Sequence, residues 1–252
     1  MTPQIPQYVL SLESILRPFV MTIALGLIWL GAARMPASAK SRYTTAGVLS
    51  AVFIGWEVVA QYLGAANTYL ATVENPPAAP TILFGLLIPL AVAAIALWRS
   101  ESIAKLVSAI PLHWLVAAQV YRVGGGIFLI LWADGRLPWQ FALPAGIGDI
   151  ATGIAAVVVA AQLAQNAIGA RRATYAWCLF GIADLVVAIT MGAMTSPGAA
   201  HLLAFDAPNL LISAYPLVMV PAFAVPLALM LHGLVLLRLR RGAAAAGRLA
   251  AA

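Results

Sequence analysis

The sequence predicts an all-helical integral membrane protein with seven transmembrane helices. The chain of 252 residues is 63% hydrophobic and only 9% charged, whereas a soluble domain carries about 25% charged residues. So few polar side chains cannot cover a water-exposed surface of this size. Apolar runs long enough to cross about 30 Å of hydrocarbon as helices recur along the chain. Basic residues, moreover, concentrate in alternate connections between these runs.

The apolar runs define one transmembrane domain over residues 1–241. Backbone groups in lipid must bond within their own segment, and the alternation of a membrane barrel is missing, so the spans are predicted to be helices. Residues 1–14 are expected to form a short interfacial helix, residues 133–145 to lie at the membrane surface, and residues 242–252 to form a poorly ordered, Ala-rich cytoplasmic tail. The seven predicted spans cover residues 15–33, 46–71, 81–98, 109–132, 146–166, 174–194 and 210–237.

The distribution of basic residues predicts the orientation. Among the connections 72–80, 133–145 and 195–209, the only lysine or arginine is Arg136. The positive-inside rule therefore places the N-terminus outside and the C-terminus in the cytoplasm, which requires an odd number of spans. Because the charges are scattered between spans, they do not indicate nucleic-acid binding. The other connections and the tail contain Arg34, Lys40, Arg42, Arg99, Lys105, Arg171, Arg172, Arg238, Arg240, Arg241 and Arg248.

Two pairs of spans resemble each other. Spans two and six each place an acid four residues after a phenylalanine, at Glu57 and Asp184, and spans three and seven share Pro-Leu-Ala, starting at Pro89 and Pro226. These matches predict two parallel three-helix units joined by the fourth helix, an architecture known among transporters. Chance similarity between apolar segments is the alternative.

Four ionisable residues stand out at membrane depth: Glu57, Arg122, Asp149 and Asp184. Each is costly at membrane depth unless it is paired or hydrated. An ion pair between Arg122 and Asp184 or Glu57 is the structural explanation. The functional one starts from three acids facing one base, which leaves a carboxylate to be hydrated or protonated. Asp149 is expected near the outer end of its helix, where water can reach it.

These residues predict a proton-coupled transporter of a small solute, with an anionic solute group as the candidate partner of Arg122. Arg122 would hold the solute, while protons and the solute compete for the carboxylates. Gln119 and Tyr215 are expected to add hydrogen bonds to a substrate cavity. Prolines at 216, 221 and 226 predict a broken last helix, as is common beside midplane binding sites.

Two other classes stay open. His113 and His232 fall at similar depth on two helices, the minimum for a bound haem or metal ion. A scaffold or partner subunit of another membrane protein would need only structural ion pairs. No hydrolase motif is present, and the transport interpretation requires no cofactor and no enzyme activity. The expected partners are the lipid bilayer and a small solute, and the expected location is the cytoplasmic (inner) membrane, in a compact, Ala-rich chain typical of bacteria.

Overall fold

The computed structural model describes residues 3–77 and 81–250, with side chains up to Arg241. Within these ranges the chain is helical and contains no strand. Seven helices are long and apolar enough to cross a membrane, as the sequence predicts. They cover Gln7–Arg34, Ala39–Ala65, Ile82–Arg99, Leu112–Ala133, Trp139–Ala164, Ala170–Thr195 and Val220–Arg241.

Two of these spans are not regular α-helices throughout. The fourth contains a 3-10 segment, Ala118–Gly126, between two short α-helices, and the last begins with a π-helical turn, Val220–Ala224. The helices are α1 (Gln7–Arg34), α2 (Ala39–Ala65), α3 (Ile82–Arg99), α4 (Glu101–Ala109), α5 (Leu112–Ala117), α6 (Ile127–Ala133), α7 (Trp139–Ala164), α8 (Ala170–Thr195) and α9 (Val225–Ala250).

Hydrogen bonds between distant segments mark the two ends of the bundle. At one end, the Tyr8 hydroxyl donates to Asp134 over 3.0 Å. At the other end, Arg238 donates to the carbonyls of Val107 at 3.2 Å and Ile110 at 2.9 Å, beside the C-terminus of α4. We call these the Tyr8 end and the Arg238 end.

Large apolar side chains cover the outside of the bundle as well as filling its core. On α3, Phe84, Ile88 and Ile95 are more than half exposed, and Leu86 is the helix's one buried residue. In water such a surface would drive aggregation. Facing acyl chains, it costs nothing, so the bundle has the surface of a multi-pass membrane protein.

Four helices begin seven or more residues from the predicted positions, and one of them is the second, which begins at Ala39 instead of 46. The first is continuous from Gln7, so residues 7–14 belong to the first span rather than to a separate interfacial helix. The fifth begins at Trp139 instead of 146, directly after Pro138, a residue that suits a helix start because it lacks an N–H to satisfy. The last begins at Val220 instead of 210, since the closely spaced prolines Pro216 and Pro221 interrupt helical hydrogen bonding.

The predicted tail is partly described. Helix α9 continues to Ala250, so the backbone of residues 242–250 is helical. Their side chains, and all of residues 251–252, lie outside the described part of the chain.

Candidate functional site

Arg122 lies at the centre of the bundle, on the 3-10 segment. It is ten residues from the start of its span at Leu112, about 15 Å along the helix. Its side chain is only 2% exposed. A permanently charged guanidinium at this depth requires close counter-charges.

Two aspartates supply those counter-charges. The Arg122 Nε donates to Asp149 Oδ1 over 2.7 Å, and Nη2 donates to Asp184 Oδ2. Nη1 reaches the Gly181 carbonyl at 3.3 Å and His232 Nε2 at 3.4 Å, so four of the five N–H groups have partners. The expected pair of Arg122 with Asp184 is therefore present, Asp149 is a second partner, and Glu57 lies elsewhere.

The position of Asp149 differs from the expected one. Since α7 begins at Trp139, Asp149 lies about 15 Å into the helix, at the same depth as Arg122. Its side chain is 15% exposed, against 6% for Asp184. Asp149 is thus the more accessible of the two carboxylates.

His232 joins the same network and is completely buried. Arginine only donates hydrogen bonds, so Nε2 of His232 must accept from Arg122, and its proton must sit on Nδ1. Nδ1 then donates to Cys178 Sγ at 3.2 Å. The Trp177 indole packs on the imidazole, with 4.7 Å between ring centroids. These contacts fix the neutral tautomer of His232.

Glycines allow the helices to approach closely enough for this network. A Cβ atom at Gly148 would collide with the Asp184 carboxylate, and one at Gly125 would collide with Asp149. A Cβ at Gly181 would come within 2.5 Å of the His232 ring. The glycine-rich sequences around Arg122 and Asp149 therefore act as packing surfaces for charged side chains.

A second charged cluster surrounds Arg17 on α1. Its Nε lies 3.0 Å from Glu13, and its Nη1 lies 3.7 Å from Glu57 on α2. The Gln61 amide also donates to Glu57. Arg17 is about 15 Å from the start of α1 and is thus at the depth of Arg122. Sequence reasoning counted one cation at this depth and missed Arg17, because it placed the membrane boundary at residue 15.

A cavity of about 120 Å³ separates the two clusters. Charged side chains in its wall are Glu13 and Arg17 from one cluster and Arg122 and Asp149 from the other, and the rest of the wall is almost entirely apolar. We call it the Arg17–Arg122 cavity. It lies in the half of the bundle that includes the Tyr8 end.

A larger cavity of about 300 Å³ reaches Asp149 from another direction. The connections that follow α2 and α8 form part of its wall, including Pro77 and residues 196–200. Asp149 and Leu185 line both cavities. Asp149 is therefore the member of the Arg122 network best placed to meet a solute.

The two predicted hydrogen-bonding residues lie apart from the open volume. Gln119 is buried and donates to the Ala228 carbonyl over 2.9 Å, and its Oε1 has no partner among the described residues. Tyr215 precedes the last span, where burial and then the nearby Glu13 carboxylate raise the pKa of its phenol. Tyr121, next to Arg122 in the chain, lines the Arg17–Arg122 cavity.

The alternative haem or metal pair would use His113 and His232. Both ring nitrogens of His232 already contact Arg122 and Cys178, so ligation would require breaking one of these contacts. His113 packs against Trp114. Among the described residues, no group of three or more His, Cys, Asp or Glu side chains is arranged to hold a metal ion.

Residues 77–240 match the family described as "Domain of unknown function (DUF8737)", and the chain belongs to this family. The match contains Arg122, Asp149, Asp184 and His232, but it begins after the residues of the Arg17 cluster. No curated protein and no solved structure matches the chain.

Proposed function

We propose that the chain is a proton-coupled transporter of a small solute in the inner membrane of a bacterium. The observation that carries the proposal is the position of Asp149, which pairs with the buried Arg122 and also faces open volume. A carboxylate that exchanges partners at mid-depth is what coupling between a proton and a solute requires.

The roles differ from those expected from sequence. Arg122 is buried behind Asp149 and bonded to four groups, so we assign it the role of holding the two aspartates rather than the solute. Each time Asp149 or Asp184 takes a proton, its hold on Arg122 weakens. Protonation would thereby loosen the contact between the 3-10 segment and α7 or α8.

The proposal includes an orientation and a conformational state. With the N-terminus outside, both cavities lie in the outer half, and the Arg238 end faces the cytoplasm. The structure would then correspond to an outward-facing state, closed on the cytoplasmic side by contacts such as those of Arg238. The proposed parallel repeat would pair α2 with α8, whose acids Glu57 and Asp184 each contact a central arginine.

The experiment measures proton movement in proteoliposomes that contain a pH-sensitive dye. A panel of small carboxylates, phosphate, amino acids and amines is added under an imposed pH gradient. We expect at least one solute to accelerate proton movement with the wild-type protein, and Asp149→Asn or Asp184→Asn to abolish the effect.

Glu101→Gln is the matched control, since it neutralises an exposed acid that pairs with Lys105 on α4, far from both cavities. It should transport like the wild type. If no solute of any charge moves protons, or if both aspartate variants retain full coupling, the proposal is wrong. The Arg122 network would then be a structural ion-pair cluster, as in a scaffold protein.

A further inference from the structure

The ionisable side chains around the Arg17–Arg122 cavity carry a net negative charge. Each arginine in its wall contacts two carboxylates: Glu13 and Glu57 for Arg17, and Asp149 and Asp184 for Arg122. Two positive and four negative charges give a net charge of −2 if every group is ionised. In a region of low dielectric constant, such an excess must be balanced by protons or by a cation.

Two carboxylates of the cavity are also easier for a ligand to reach than the Arg122 guanidinium. A molecule that enters the cavity meets Asp149 and Glu13, whereas the Arg122 guanidinium is 2% exposed and already bonded. Arg17 is more exposed, at 37%, but two carboxylates flank its guanidinium. An anion would have to displace one of these acids, while a cation can join them.

The remaining wall of the Arg17–Arg122 cavity favours a ligand whose uncharged part is apolar. Side chains such as Leu16, Val20 and Phe223 form most of the surface. The enclosed volume is about 120 Å³, and a cavity of about 150 Å³ suffices for benzene. Because the cavity is smaller than this but open on one side, a short alkyl chain fits inside it, and a single ring fits with part of the ring in the opening.

We infer that this cavity binds a small apolar ammonium ion in exchange for a proton. This inference rests on the proposed function and names its substrate class as cationic, in contrast to the anion that the sequence suggests. Before binding, a proton occupies a carboxylic acid of the cavity. The ammonium ion replaces it, and the proton leaves to water on the side from which the cation enters.

The pH dependence of binding depends on all the groups around this site that can titrate or carry charge. Protonation of any carboxylate here competes with the cation, while His232 keeps Arg122 as its partner and stays neutral. The groups are Glu13 and Arg17 on α1, Glu57 on α2, Arg122 and Tyr121 on the 3-10 segment, Asp149 on α7, Asp184 on α8, Tyr215 before the last span and His232 on α9.

The experiment measures binding of benzylamine, benzyl alcohol and benzoate to the purified protein by calorimetry. We expect benzylamine to bind far more tightly than the other two. If it replaces one proton, its affinity should fall about tenfold for each unit by which the pH is lowered. Benzoate binding as tight as that of benzylamine, or no binding of benzylamine at any pH, would overturn the inference.

Two variants locate the site. Asp149→Asn and Glu13→Gln should each weaken benzylamine binding, by about 10- to 100-fold for a lost charge-assisted hydrogen bond. Glu101→Gln should bind normally. Should Asp149→Asn not fold, Glu13→Gln and the pH series on the wild type still decide. Unchanged affinity in both cavity variants would contradict the assignment.

Failure of this inference is distinguishable from failure of the proposed function. Benzylamine binding without proton transport would support the binding site and contradict the transport proposal. Proton-coupled transport of a carboxylate without benzylamine binding would support transport and contradict the cation site. A lipid headgroup can also supply an ammonium ion. Nanodiscs of phosphatidylglycerol, which has no ammonium group, with and without phosphatidylethanolamine separate the two sources, because only a headgroup occupant makes the ethanolamine lipid suppress benzylamine binding.

Discussion

At the scale of single residues, charge pairing dominates the interior. Arg122, with its two aspartates and His232, forms a network in which removing one member leaves others buried without a partner. Breaking a buried ion pair costs more than replacing all of it by neutral groups, because the remaining charge has lost its compensation. This asymmetry provides a direct test of the network.

Arg122→Gln should destabilise the protein by about 3–5 kcal/mol near neutral pH, because Asp149 and Asp184 are left without a cation. The triple variant with Asp149→Asn and Asp184→Asn should recover much of this loss. The loss in the single variant should also shrink at lower pH, where protons neutralise the aspartates. Denaturant unfolding in detergent measures these differences.

Arg240→Gln, at an exposed position, is the control and should unfold like the wild type. A triple variant no more stable than Arg122→Gln would show that shape, rather than charge balance, holds the network together.

Close backbone approach is the second residue-scale requirement. Gly148→Ala places a methyl group against the Asp184 carboxylate, so we expect lower stability and a displaced Asp184. Gly47→Ala on α2 is the matched control, because no heavy atom lies within 4 Å of its new Cβ. It should stabilise the helix by about 0.5–1 kcal/mol. Thermal unfolding measures the stability of both variants. Equal unfolding temperatures for the two would contradict the close packing of α7 on α8.

At the scale of elements, irregular helices position the site. A long 3-10 run inside a helix is uncommon and often marks a hinge or strain. Here it carries Arg122 and the three consecutive glycines that end at Gly126. The π-helical turn Val220–Ala224 lies against the Arg17–Arg122 cavity. Both segments are candidates for the movement that the proposed transport cycle needs.

Hydrogen bonds between α4 and α9 link the two helices at the Arg238 end. Arg238 donates to carbonyls at the C-terminus of α4, where a positive charge is favourable. Arg238→Ala should therefore increase amide hydrogen exchange along Glu101–Ala109. Arg240→Ala serves as the control. Unchanged exchange in the Arg238 variant would mean that packing of Leu106 alone holds α4 in place.

At the scale of the whole molecule, composition and loop charge were sufficient to predict a seven-helix protein. The depth of Asp184 and Arg122 also followed from a rise of 1.5 Å per residue. Which residues share a cavity did not follow. In a membrane both the core and the lipid-facing surface are apolar, so hydrophobic periodicity carries little information on the direction a helix faces. Glu57 was therefore grouped with Arg122, whereas Arg17 was missed because the first span was taken to begin at residue 15.

The proposed orientation can be tested with single cysteines in a Cys178→Ser background. Asn75→Cys should react with a membrane-impermeant maleimide added outside cells, whereas Ala39→Cys should react only after the membrane is opened. Both positions are exposed. The reverse pattern would invert the topology and place both cavities on the cytoplasmic side.

The proposed function requires that exchangeable protons balance the surplus of buried carboxylates. Infrared difference spectroscopy of the wild-type protein tests this most directly, because a protonated carboxyl group has a carbonyl band that the ionised form lacks. We predict such a band near neutral pH, its loss on raising the pH or adding benzylamine, and its disappearance or shift in Asp149→Asn or Asp184→Asn. A spectrum in which all acids are ionised near neutral pH would contradict the claim.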